Sequence, residues 1–500
     1  MSLVVELGVV FAYLLVALVV GAVAYRATER SAEDYYLAGR GLGTVVLLFT
    51  TFATLLSAFT FFGGPNLAYA AGPEWILVMG LMDGVLFGLL WYFLGYKQWL
   101  VGRAQGYVTL GEMLGDRFGS SALRGLVAAI SLFWLFPYVM LQQMGAGTAL
   151  VALTDGAVPY WAGAALVTVF MIAYVVVSGM RGVAWTDTIQ GLFMLVVVWA
   201  AFLWVGGALA ATGQLGGALP DEFRALGGGL YSPQWMLSQA IGIALGVTMF
   251  PQVNQRFFVG ESERVLKRSF ALWPVLVLLL FVPAFLLGSW AAGVGIETSG
   301  NVLPVLLNEY TPGWFAALVV AGALAAMMSS SDSMLLSGSS YFTRDLYRPF
   351  VNPAASDRRE DLLGRVGVAV FATGAFVASL FEPGSLVQVG STAFGGFAQL
   401  ALPVGVALYW RGTTRAGMLA GVAGSQAFYL WTVFGPEVTL GGVPVLVSTY
   451  WGWSASMVGV VLGLVLTLGV SAFTAQAAGE DSAVYFEGLR AAARADAEGE

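Results

Sequence analysis

Apolar runs alternate with short polar segments along the whole chain, and thirteen of them are long enough to act as units. They lie near 5–25, 44–70, 75–96, 121–150, 158–179, 185–207, 232–257, 268–290, 313–342, 362–380, 384–409, 412–432 and 449–474. A helix of about 19 to 30 residues, rising 1.5 Å per residue, crosses the roughly 30 Å of hydrocarbon in a bilayer. The pattern therefore predicts an all-α polytopic membrane protein with 13 transmembrane helices. Only the polar stretches 97–120, 208–231, 291–312 and 343–361 are longer, and none has room for a separate soluble domain. The first run ends in a charged loop without a small-residue cleavage pattern, so it reads as a retained span and not as a signal peptide. The tail from Gly479, with a weak apolar pattern among Ala, Glu and Asp, reads as a frayed or short surface helix.

The basic residues orient this pattern. With the N-terminus outside, 21 of the 22 Lys and Arg residues fall on the cytoplasmic side, from Arg26, Arg30 and Arg40 through Arg181 and Arg256 to Arg490 and Arg494, and only Arg224 is left outside. The positive-inside bias then predicts a multi-pass protein of the plasma (inner) membrane, with its C-terminus in the cytoplasm. Composition agrees, since 58% of residues are hydrophobic, 10% are charged and mean hydropathy is +0.81. A soluble domain carries roughly 25% charged residues, so membrane lipid is the expected surrounding. The basic residues are spread over many loops, which gives nucleic-acid binding no support.

Cys and His are both absent, which excludes disulfides, thiol chemistry, a histidine proton relay and a His-ligated metal. Serine has no histidine base and no Walker loop is present, so neither a hydrolase nor an ATP-driven pump fits; the chain is not expected to be an enzyme. Transport driven by an ion gradient, or passive conduction, remains. A pore would show symmetric rings or repeated filter segments, and a sensor would carry a cytoplasmic signalling domain; the chain shows neither.

Polar residues inside apolar runs mark the candidate site, because they are costly in lipid. In the second run Thr54, Ser57 and Thr60 stand beside Gly63-Gly64-Pro65, where a kink or break is expected because Pro65 lacks a backbone donor. The ninth run carries Ser329, Ser330, Ser331, Asp332, Ser333, Ser337, Ser339 and Ser340, far more hydroxyls than packing requires. Asp187 and Gln190 sit three apart in the sixth run, and Asp83 is an isolated carboxylate in the third. Hydroxyls and carbonyls suit a small monovalent cation such as Na⁺, whereas a divalent ion recruits more carboxylates. Proton coupling through Asp187 or Asp332 stays open at this point.

These segments resemble the sodium/solute symporter family, which contains sodium-coupled proline, pantothenate, monocarboxylate and sugar transporters. The resemblance is carried by Asp34-Tyr35-Tyr36-Leu37-Ala38-Gly39-Arg40, Ser57 with Gly63-Gly64-Pro65, Gly179-Met180-Arg181-Gly182 through Gln190, Gln255-Arg256-Phe257-Phe258, and the serine run ending Thr343-Arg344-Asp345-Leu346-Tyr347. It implies a leading helix and loop (1–43), two five-helix repeats of inverted topology (44–207 and 232–409), two trailing helices (410–475) and a cytoplasmic tail (476–500). It further implies a sodium site made by the carbonyls of Ala53, Leu56 and Ala326 with the hydroxyls of Ser329 and Ser330, and a cation path through Asp187. Ser57, Phe59, Thr60, Gln252 and Gln388 become candidates for the substrate pocket. Phe59 disfavours a hydroxyl-rich sugar, since each unpaired buried polar group costs about 1–3 kcal/mol. Helix N-termini at a break favour a carboxylate. The implied partner is a small organic solute such as a monocarboxylate or pantothenate, with a proton-coupled carrier, or a sodium-coupled amino acid or sugar symporter, as the alternatives.

Overall fold

The computed structural model describes residues 3–25, 36–215, 231–440, 443–477, 479–487 and 489. Arg26, Arg30, Asp34, Tyr35, Arg224, Arg490 and Arg494 lie outside the described residues. The described chain is all-α apart from two small strand pairs. In order it forms α1 (Leu3–Tyr25), α2 (Thr44–Leu55), α3 (Phe59–Ala71), α4 (Ile76–Gln105), α5 (Leu110–Arg117), α6 (Ser121–Leu153) and α7 (Tyr160–Ala211). There follow α8 (Pro233–Thr248), α9 (Pro251–Val259), α10 (Glu263–Gly293), α11 (Val302–Tyr310), α12 (Gly313–Phe350), α13 (Asp357–Ser379), α14 (Leu386–Tyr409) and α15 (Arg415–Phe434). The strands are β1 (Val438–Leu440) paired with β2 (Val443–Leu446), and β3 (Thr449–Tyr450) paired with β4 (Trp453–Ser454); α16 (Ala455–Phe473) and α17 (Ala483–Phe486) complete the chain. Nine helices among the described residues are long and apolar enough to cross a membrane, or eleven when α2–α3 and α8–α9 each count as one bent span. The protein is thus a multi-pass membrane protein.

Three boundaries differ from the periodicity. The polar stretch 97–120 is largely helical: α4 runs on to Gln105, and α5 starts at a capping box in which Thr109 and Glu112 satisfy each other's backbone N–H groups. The runs at 158–179 and 185–207 join in α7 without a loop, the chain turning at Gly179 (φ 63°, ψ −178°), a conformation open only to glycine. The described part of the tail, residues 479–487 and 489, carries the short helix α17 and is docked rather than lying on the surface. Tyr485 is fully buried, its hydroxyl donating to the Met113 carbonyl, while Lys97 Nζ donates to the Tyr485 carbonyl at 2.6 Å.

The break in the second run also lies elsewhere. Helix α2 stops at Leu55, Leu56 is extended (ψ 125°), and α3 departs at 63°. Gly63-Gly64-Pro65 stays helical, because a π-turn over Phe59–Gly63 bonds the Gly64 N–H to Phe59 and so takes up the proline's missing donor. Close approach of glycine then seats this half-helix. A Cβ on Gly288 of α10 would stand 2.2 Å from the Pro65 carbonyl oxygen.

Candidate ion and solute site

The bend after Leu55 ends a helix inside the buried core, and the last carbonyls of any helix lack intrahelical donors. Helix α12 packs alongside and supplies hydroxyls to those carbonyls. Ser329 Oγ donates to Ala53 O at 2.8 Å and to Ala326 O at 3.0 Å; Ser330 Oγ donates to Thr54 O at 2.8 Å and Leu56 O at 2.6 Å. Two hydroxyl hydrogens therefore face four carbonyl oxygens. All the residues expected to form the ion site, Ala53, Leu56, Ala326, Ser329 and Ser330, come together here and are buried. Thr54, not anticipated as a ligand, adds its carbonyl.

One turn further along α12 the lining becomes charged. Asp187 of α7 is wholly buried and accepts from Thr50 Oγ1 at 2.7 Å, Thr54 Oγ1 at 3.3 Å and the Arg256 guanidinium at 3.2 Å. Arg256, on α9 beyond the second bend, also donates to Ser333 Oγ at 2.6 Å, and Ser333 contacts Thr54 Oγ1 at 2.9 Å. Asp187 and the serine cluster are thus linked through Thr54 and Ser333. The Asp187–Arg256 ion pair was missed in the sequence although both residues stood in quoted motifs, since nothing in the spacing brings 187 and 256 together.

The expected pocket residues divide into separate places. Phe59 and Thr60 line a cavity of about 20 Å³ with Leu56, Met79, Phe87, Tyr138, Trp273 and Phe394 among its walls. Ser57 points at Tyr138, with the two hydroxyl oxygens 3.0 Å apart. Gln252 is fully buried at the start of α9, and neither of its side-chain amide atoms has a partner among the described residues. Gln388 is exposed, bordering a different cavity of about 300 Å³ against β3–β4 and α15. Phe394 lines both cavities and packs edge-on against Phe59, with ring centroids 5.2 Å apart. Sequence reasoning also passed over Tyr138 and Gln142. Gln142 Oε1 accepts the Ala58 N–H at 2.9 Å and so caps the start of α3. Paired glutamines deep in the apolar run of α6 were the signal for that contact.

Comparison with known proteins fits this geometry. The model of the sodium:solute symporter family matches residues 35–424. The chain belongs to that family. A sodium/pantothenate symporter of Haemophilus influenzae is 26% identical over 473 residues, covering 92% of this chain and 97% of the relative. A sodium/proline symporter of the same organism is 28% identical over 85% of this chain and 88% of its own. A monocarboxylate transport permease of Rhizobium johnstonii is 26% identical over 83% and 87%. Among solved structures, a Na⁺-coupled sialic acid symporter in a substrate-bound, outward-open state superposes with a TM-score of 0.73 at 19% identity, covering 94% of this chain and 98% of that one. At that identity the likeness carries the fold. The candidate site of this family member lies at the bent α2–α3 and α8–α9 pairs, with the serine face of α12 against the first.

Proposed function

We propose that this symporter-family chain moves a small organic solute into the cell together with Na⁺. The observation that carries the reading is the excess of acceptors at the α2–α3 bend. Four carbonyl oxygens share the hydrogens of Ser329 and Ser330, so a cation placed among them, with the hydroxyls turned to offer lone pairs, satisfies every oxygen. Ala53, Leu56 and Ala326 through their carbonyls, and Ser329 and Ser330 through their hydroxyls, are the proposed sodium ligands. Asp187 attracts the ion and passes it toward the cytoplasm. The solute occupies the cavity of Phe59, Thr60 and Tyr138, with Ser57 and Gln252 at the two bends beside it and Gln388 in the outer approach.

The arrangement we favour has thirteen spans in a five-plus-five inverted repeat, N-terminus outside, which adds the first half of α7 and helix α15 to the eleven spans counted above. The bends in the first span of each proposed repeat support it, as expected of transporters built this way. A carboxylate-bearing solute is favoured by the N-terminal ends of α3 and α9 at those bends and by relatives named for pantothenate and monocarboxylate. Proline relatives keep an amino acid in view.

The test is uptake of labelled short monocarboxylates, pantothenate, neutral amino acids and a hexose into proteoliposomes, with an inward Na⁺ gradient and a K⁺ or choline control at fixed pH. Accumulation of one class only with Na⁺ supports the reading. Accumulation indifferent to Na⁺ but abolished by collapsing a proton gradient refutes the serine site.

A further inference from the structure

A buried carboxylate without a partner is expensive in a membrane protein, and it persists where a ligand or proton meets it. Asp83 of α4 is such a group. It is wholly buried, and neither side-chain oxygen has a hydrogen-bond partner among the described residues. It stands one turn from Met79 on one side and Phe87 on the other, and both line the cavity of about 20 Å³ that holds Phe59, Thr60 and Tyr138. Its neighbour Gly84 packs on Val277 of α10, another wall of that cavity. The same cavity is lined by Trp273, whose buried indole N–H also has no acceptor among the described residues. Behind this wall, one turn from two of its lining residues, stands the unmatched acceptor Asp83, and in the wall itself the unmatched donor Trp273.

We propose that Asp83 and Trp273 are the two polar poles of the solute cavity. Asp83 takes a hydrogen-bond donor of the solute, a hydroxyl or an ammonium, and the Trp273 N–H takes an acceptor oxygen. This rests on the cavity being the solute site, as read above, and it narrows the solute class to a small hydroxy or amino acid over a plain alkanoate. At about 20 Å³ the cavity holds one water, so a solute must part Phe59 and Phe394 to enter.

The experiment uses propionate, lactate and alanine, which share a three-carbon skeleton and differ in the donor. Sodium-driven uptake into proteoliposomes is measured for the wild type and Asp83→Leu. A site built to hydrogen-bond a group discriminates strongly against the analogue lacking it, so the wild type should favour lactate or alanine over propionate by about ten-fold or more in kcat/KM. Asp83→Leu, which has no acceptor, should bring that ratio within about two-fold while uptake keeps its sodium dependence. An unchanged ratio overturns the proposal. Loss of sodium dependence in the wild type instead refutes the symport reading, and a second arm then decides on Asp83 alone. The purified protein is treated with dicyclohexylcarbodiimide, and labelled Asp83 is quantified by mass spectrometry with each of the three compounds present. Protection by lactate or alanine but not by propionate is the expected result; equal labelling throughout overturns the assignment.

Discussion

The ion pair between Asp187 and Arg256 offers a direct test of how the two bends are tied together. The groups are 0% and 1% exposed, and their N–O distance is 3.2 Å. Removing one partner of a buried pair leaves an uncompensated charge, which costs about 3–5 kcal/mol. The structure puts this pair toward the lower end. In Asp187→Asn the guanidinium keeps Ser333 Oγ at 2.6 Å and Thr50 Oγ1 at 3.2 Å. In Arg256→Gln the carboxylate keeps Thr50 Oγ1 at 2.7 Å and Thr54 Oγ1 at 3.3 Å. Each single substitution should therefore destabilise the protein by about 3 kcal/mol. The double variant strands neither charge, so with a coupling of about 2–3 kcal/mol its loss should stay near that of one single substitution, about 3–4 kcal/mol, well short of the roughly 6 kcal/mol expected of independent losses. Thermal unfolding in detergent, followed by loss of monodisperse protein on size exclusion, orders the four proteins. A double variant that melts below both singles, by the sum of their losses, would refute the argument that the charges compensate one another.

Two further outcomes are expected. Ser329→Ala with Ser330→Ala removes both proposed hydroxyl ligands, so uptake should lose its stimulation by Na⁺; retention of full sodium dependence in proteoliposomes would sink the site. Gly288→Ala places a methyl 2.2 Å from the Pro65 carbonyl oxygen, and overpacking against backbone costs about 1–3 kcal/mol. Its melting temperature should fall, and one equal to wild type shows that α3 and α10 separate freely.

What was legible in the sequence follows from the period of the pattern. Lipid imposes one simple rule, that a span is a long apolar run, so the helices around α1, α6, α10 and α14 fall within a few residues of the hydropathy runs. The serine face of α12 was equally visible, because a hydroxyl every few residues in an apolar helix has few bland explanations. Bends were read less well. Pro65 drew attention to the wrong turn, since a π-turn absorbed it, while the true break at Leu56 and Ser57 carries no glycine or proline at all. That break is set by tertiary partners, with Ser330 on one side and Gln142 capping α3 on the other. The docking of Tyr485 was invisible for a similar reason. Its burial depends on Arg117, whose guanidinium stacks 4.7 Å from the ring centroid, a contact spanning most of the chain.

The order of residues around the bend explains why ion and solute should be coupled without touching. The carbonyls of Ala53, Thr54 and Leu56 face the serines, and a few residues further along the chain Phe59 and Thr60 line the cavity proposed for the solute. Leu56 belongs to both groups, its carbonyl on Ser330 and its side chain in the cavity wall. An ion that fixes the carbonyls therefore fixes the wall, and a solute that fixes the wall holds the carbonyls in place. Coupling of this kind is reciprocal and typically amounts to about 1–3 kcal/mol, or 5- to 150-fold in affinity. Neither Ser329 nor Ser330 lines the cavity. Their joint replacement by alanine should nonetheless weaken solute binding at saturating Na⁺ by a factor in that range, bringing it down to the value the wild type shows in choline. Equal solute affinity for the variant and the wild type at saturating Na⁺ would mean that ion and solute bind independently, and that the shared bend carries no coupling.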